Sequence, residues 1–372
     1  MRRKMVFVPA IALLFSFIFA ASAFAVVYYV NGATGKDQPD YGKTRMEPFL
    51  SIGYALARPD ARKTIRIATG TYNEQLSIIE FQVVELQGSG VGKTFIAGTN
   101  DKPVVDISGP TKASISGITI ENGLNGILSR FSYVKCQNVR VRGHASHGVY
   151  AKANSTLDFS ESSAVSNGGY GVRIHSSSSG SVISSTFQKN TGGGINSAYA
   201  SFVYAEKCII SGNPSNGVQV HGDSVAYLLN NEIFSNKYSG VGLTESSSVS
   251  FGGGNKIHGN GDNSGWRAGV GVYHSSQAIF IPEVADNKDD IYGNNGPGVF
   301  LSENCGMLMK SAIVRDNHGD GVTINMGSFG QFESGAIIEG NDGYGINCTD
   351  VGNKSGQPGS LAGNGSGETT CQ

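Results

Sequence analysis

The sequence predicts an all-β solenoid: a parallel β-helix with three short strands per turn and about 23 residues per turn. Three observations predict it. First, Gly followed by Val or Ile recurs at Gly126, Gly148, Gly171, Gly194, Gly217, Gly240, Gly269, Gly298, Gly321 and Gly345, with steps of 22, 23, 23, 23, 23, 29, 29, 23 and 24. Second, other residues keep step with that ladder. Asparagine follows nineteen residues later at Asn167, Asn190, Asn213 and Asn236, and continues with small shifts through Asn260, Asn294, Asn317, Asn341 and Asn364. Third, glycine contributes 53 of 372 residues while charged residues reach only 15%. A modest apolar content therefore has to be placed rhythmically to build a core.

Taken in chain order, the first 25 residues read as an export signal. Arg2, Arg3 and Lys4 precede an apolar run from Met5 to Ala20, and Ala23-Phe24-Ala25 supplies a small-x-small cleavage pattern. The expectation is a secreted or envelope-associated chain beginning near Val26, with no transmembrane segment once the signal is removed. Next come Tyr28-Tyr29-Val30-Asn31-Gly32, then Glu47-Pro48-Phe49-Leu50-Ser51-Ile52-Gly53-Tyr54-Ala55-Leu56, then Thr64-Ile65-Arg66-Ile67-Ala68-Thr69-Gly70-Thr71-Tyr72. With the ladder, these segments resemble the right-handed, pectate-lyase-like β-helix superfamily, where a similar Pro-Phe helix caps the barrel and a similar strand opens it. The resemblance implies a strand and short capping helix over 26–63 and a right-handed coil over 64–352. Pro48 suits a first helical turn, and Leu50, Tyr54 and Leu56 are expected to face the barrel mouth.

Within each lap, Gly-Val-x-Val opens a strand and a small hydroxyl follows seven residues after the glycine, at Ser155, Ser178, Ser201, Ser224, Ser247, Ser276 and Ser328, with Cys305 once in that place. Offsets nine and eleven are mostly apolar, as in Leu157 and Phe159 or Val249 and Phe251, and a third apolar point recurs near offset sixteen at Phe187, Ile210 and Ile233. Period-two alternation between Gly, Ser and Asn corners is a strand signature. Stacked about 4.8 Å apart, such laps place asparagine over asparagine. Two laps carry six extra residues, one near Gly261 to Ala268 and holding Trp266, the other near Ile281 to Asp290. The stretch 353–372 is a Gly/Ser-rich tail where the apolar signal fades. Cys348 and Cys371 are 23 apart, one period, so they are candidates to staple adjacent laps.

Function is less sharply marked. A net charge of −1 gives no basic surface for nucleic acid. No Cys/His spacing suggests zinc, and no cofactor or metal is called. Asp286, Asp289 and Asp290 match no calcium loop and are expected to be a solvated acidic loop. In the first strand, offsets two and four point outward. They line up Leu128, Tyr150, Arg173, Asn196 and Gln219 beside Arg130, Lys152, His175, Ala198, His221, Thr244 and Tyr273. Cations, an aromatic ring and amides on one face suit an extended, acidic polysaccharide. The candidate contact residues are Arg130, Tyr150, Lys152, Arg173, His175, Asn196, Gln219 and His221, with Trp266 and Arg267 on the rim. Two alternatives stay open. One is a lyase or epimerase, with Arg173 neutralising a uronate and Lys152 or His175 as base. The motifs that the resemblance would supply for such chemistry, an Asp-Pro-His-Asp run, an Asn-Thr-Asp or a Gly-His-Gly, are absent from the sequence. The other is a structural spacer without a ligand. His144 and His147 are expected to be corner histidines bonded to backbone.

Overall fold

In the computed structural model, residues 25–79, 81–262 and 267–371 are described. The leader and Trp266 lie outside them. Every strand pairing is parallel, and the strands form two continuous sheets, one of 25 strands and one of 13. The smaller sheet collects the first strand of each lap, for example Val149–Lys152, Tyr170–His175, Gly193–Ala198, Val218–His221 and Val241–Thr244. The larger collects the second and third strands. This is the predicted coil of about 13 turns.

The inward column of the first strand runs Ile127, Val149, Val172, Ile195, Val218, Val241, Val270, Val299, Val322 and Ile346, all without solvent exposure. Branched residues pack well on a pleated, fully covered surface. Aromatic stacks fill the lumen, with Phe251 and Phe280 rings 4.4 Å apart and nearly parallel. The repeating glycine answers to crowding: a Cβ on Gly217 would lie 2.6 Å from the Gly240 carbonyl oxygen of the next lap. Polar corners are satisfied in file. Asn190 Nδ2 donates to the Ala164 carbonyl at 2.9 Å, and the Asn190 backbone N–H donates to Asn213 Oδ1 at 2.9 Å. Serines do the same, the Ser155 N–H donating to Ser178 Oγ at 3.0 Å.

The ends differ in detail from expectation. Strand Val26–Val30 pairs with Arg62–Ile67 and so lies within the stacked wall. The cap is a single turn, Ile52–Leu56, with Ser51 as its N-cap, so Pro48 precedes the helix. The Glu74 carboxylate accepts from the Ile52 and Gly53 N–H groups at 2.9 and 2.7 Å, satisfying donors that a helix start leaves open. Leu56 is buried, but Leu50 is 44% exposed; Phe49 and Ile52 fill the mouth instead. At the far end the coil continues past residue 352 through strands Asn353–Gly356, Ser360–Ala362 and Gly367–Thr369. Backbone pairing persists there after apolar residues thin out. Cys348 and Cys371 are disulfide-bonded across that last lap, with Cα atoms 4.9 Å apart.

The second insertion loops out between strands Gln277–Phe280 and Asp289–Tyr292. Its aspartates do not form one solvated group. Asp289 is wholly buried, and its Oδ1 accepts from Asn255 Nδ2 at 2.7 Å. It ends a short amide file, Asn231–Asn255–Asp289, in the second corner of each lap. Asp290 pairs with Arg315 at 2.9 Å. Among the described residues no three His, Cys, Asp or Glu side chains gather as metal ligands would, and no helix is long and apolar enough to cross a membrane.

Candidate functional site

Strand register assembles the two outward columns. Leu128, Tyr150, Arg173, Asn196 and Gln219 are successive Cα partners, and so are Arg130, Lys152, His175, Ala198, His221 and Thr244. Not all of them present a free side chain. Arg130 is held by Asp106 at 2.6 Å. Asn196 is fully buried, shorter than the Arg173 and Gln219 side chains that flank it, and its Nδ2 donates to the Gln219 carbonyl at 3.1 Å. It is therefore no surface contact. Gln219 accepts from Asn216 through Oε1. His221 lies 3.5 Å from Glu245. On the rim, Arg267 pairs with Asp262 and lies 3.6 Å from the Tyr238 ring centre, so its charge is already engaged.

Among the described residues, Lys152 and Arg173 have no carboxylate partner. The Lys152 ammonium lies 5.1 Å from the Tyr150 ring centre, and the Arg173 guanidinium lies 5.4 and 5.9 Å from the Tyr150 and Tyr170 centres. Arg173 Nε is buried without a partner. The residue that completes this cluster is His147, which precedes Gly148 at the corner. Burial and the Arg173 and His175 charges lower its pKa to about 4, so it is neutral near pH 7. A neutral imidazole offers one donor and one acceptor. Yet both His147 nitrogens face donors: the Tyr170 N–H at 3.0 Å from Nδ1, and Arg173 NH1 at 3.2 Å from Nε2. Whichever nitrogen holds the proton, one donor opposes another.

His144, three residues earlier, shows the resolved alternative. Its Nδ1 accepts from the Gly123 N–H at 3.0 Å and its Nε2 donates to the Ile120 carbonyl at 3.1 Å. It is the backbone-bonded corner histidine; His147 is one only through Nδ1. Because the Tyr170 N–H is fixed by the backbone and meets Nδ1, the opposed pair is the Arg173 guanidinium and Nε2–H. An entering anion would accept from both. His175, beside them, is likewise lowered to about 4 by burial and by Arg173, His221 and Lys152. Its ring meets Tyr150 at 5.8 Å and Tyr199 at 4.7 Å. His147, Tyr170 and Tyr199 went unmarked as contact residues because they lie just outside the alternating Gly-Val-x-Val-x positions, Tyr170 at the start of its strand and the other two in corners. The available signals were that His147 and Tyr170 each precede a repeat glycine and that Tyr199 follows the outward position Ala198.

A family described as the right handed beta helix region matches residues 78–205, 125–285 and 201–355. The chain belongs to this family. Among solved structures, the A-module of the Azotobacter vinelandii mannuronan C-5 epimerase AlgE6 is similar with a TM-score of 0.59 at 16% identity, covering 85% of this right-handed β-helix chain and 88% of that one. The A-module of AlgE4 from the same organism gives 0.53 at 16% identity, covering 86% and 92%. The catalytic unit of a GH87 α-1,3-glucanase from Streptomyces thermodiastaticus gives 0.54 at 12%, covering 83% and 65%. At such identities the likeness is one of fold. No curated protein matches the sequence.

Proposed function

We propose that this right-handed β-helix is an exported protein that holds an extended, acidic polysaccharide along the outer face of its first strands. The observation that carries this is the donor cluster of Arg173 and His147, which lacks an acceptor. A uronate carboxylate supplies two oxygens for the guanidinium fork and Nε2–H. Tyr150 and Tyr170 wall the cluster, and Lys152 adds a second free cation one lap away. That structural neighbours include a mannuronan epimerase and a glucanase is consistent with a glycan ligand.

Titration calorimetry with alginate, pectate and a neutral α-glucan tests it. Alginate or pectate is expected to bind, to weaken with added salt, and to lose about tenfold or more in affinity in Arg173→Ala, as when one member of a charged hydrogen-bonded contact is removed. Equal binding of the neutral glucan, or an unaffected Arg173→Ala, would overturn the proposal. A second reading, β-elimination or epimerisation, is favoured by one observation: His175 is neutral beside Arg173 and so can accept a proton. It requires turnover that Lys152→Ala or His175→Ala abolishes and that falls as pH drops through about 4, where the histidine charges. Binding without unsaturated or inverted product excludes it.

A further inference from the structure

Each lap turns three corners, and most corners contain a residue with positive φ. In the second and third corners these are polar or glycine, such as Asn138, Glu161, Lys207 and Gly254 in the second and Ser166, Lys189 and Gly212 in the third. The first corner, bordering the candidate face, is different. Every aromatic or large aliphatic residue with positive φ among the described residues lies there: Phe81, Phe131, Tyr199, Met326 and Val351. A bulky side chain in left-handed conformation is a true outlier. The fold does not demand it, since Ala153, Ser176 and Gly222 occupy the same corner in other laps.

Packing compensates little at the two phenylalanines, and at Tyr199 only through edge contacts with His175 and His221. Phe81 is 77% exposed, Phe131 57% and Tyr199 52%. Backbone strain retained for so little packing gain points to function. Their order along the coil is informative. Phe131 directly follows Arg130, and Tyr199 directly follows Ala198; the laps between them carry Lys152 and Arg173. Four successive laps thus offer a ring, a cation, a cation and a ring, over about 14 Å at the stacking distance. We propose that the first corner is a track of aromatic platforms, on which sugar rings of an acidic polysaccharide stack while its carboxylates meet the cations between, so that the polymer runs along the coil axis. This rests on the function proposed above. Tyr199, in edge contact with His175 at 4.7 Å and His221 at 5.3 Å, ties the track to the face.

The test uses Phe131→Asn and Phe81→Asn in the full chain, since asparagine tolerates left-handed backbone. Thermal unfolding and calorimetric affinity for alginate and pectate are measured together. A platform gives opposite signs: an unchanged or raised Tm, and affinity weakened about fivefold or more, as for an aromatic contact worth over about 1 kcal/mol. A lowered Tm would make the rings structural and overturn the track. Unchanged affinity in Phe131→Asn, with loss in Arg173→Ala, would overturn the track while leaving the carboxylate site standing. A wild-type dimer by sedimentation that Phe131→Asn dissociates would assign the corner to a second copy and also overturn it. If neither polymer binds the wild type, both proposals fall.

Discussion

Asp289 shows how one buried residue can set a pH response. Its carboxyl pKa is raised to about 7 by burial, against hydrogen bonds from Asn255 that favour the charged form. Asp289 Oδ2 has no partner; register places the Phe251 carbonyl where the amide of an asparagine would donate. Protonated, Oδ2 can donate there; ionised, it opposes an oxygen. Between the unfolded pKa near 4 and the folded value, the native state binds the extra proton, so stability falls as pH rises through that window. The rise is worth up to about 4 kcal/mol. Asp289→Asn is expected to be more stable than wild type at pH 8 and to lose most of the pH dependence between 5 and 8, measured by urea unfolding at each pH. The sequence could not show this, because Asp289 falls beside an insertion that hides its place in the amide file. Asn196 is the converse case: alternation puts it outward correctly, but its cover comes from neighbours one lap away.

At the scale of a single rung, the asparagine file does what apolar side chains cannot: it satisfies a buried corner. Asn213 Oδ1 accepts from the Asn190 N–H at 2.9 Å, and its Nδ2 donates to Asn236 Oδ1 at 2.8 Å. Asn213→Ala removes both bonds, leaves the Asn190 N–H buried without a partner and takes a donor from the Phe187 carbonyl, while Asn236 Oδ1 keeps the Asn213 backbone N–H. A loss of about 2–4 kcal/mol is expected, from one to two unmet polar groups; an exposed control such as Lys237→Ala should change stability by less than about 0.5 kcal/mol. Equal loss in both variants would deny the file its role. This element was legible in advance because nineteen-residue offsets are a one-dimensional signal, and so were the serine file and the inward valines. The Arg173 column was legible for the same reason. The His147 partner was not: which ring nitrogen meets which donor depends on how the corner folds over the next lap, and spacing alone does not encode that.

Across the whole molecule, each lap touches only its neighbours, so stability is close to a sum of lap and interface terms and the ends are the weak points. The two ends are closed differently. The first lap is plugged by Phe49 and Ile52 under a capped helical turn. The last lap has few buried apolar side chains: its strands Asn353–Gly356 and Ser360–Ala362 are largely exposed or half-buried. There the Cys348–Cys371 bond replaces a core, closing a 23-residue lap, worth about 3 kcal/mol by loop-closure entropy. Because coupling is nearest-neighbour, breaking it should not unfold the middle. In Cys371→Ser, amide exchange is expected to accelerate over 344–369 and to stay slow over 127–198, where the face proposed to hold the ligand lies. Affinity for alginate or pectate should then match wild type. Uniform loss of protection along the coil would mean that the laps unfold as one cooperative unit, and the end closure would then govern the binding face as well.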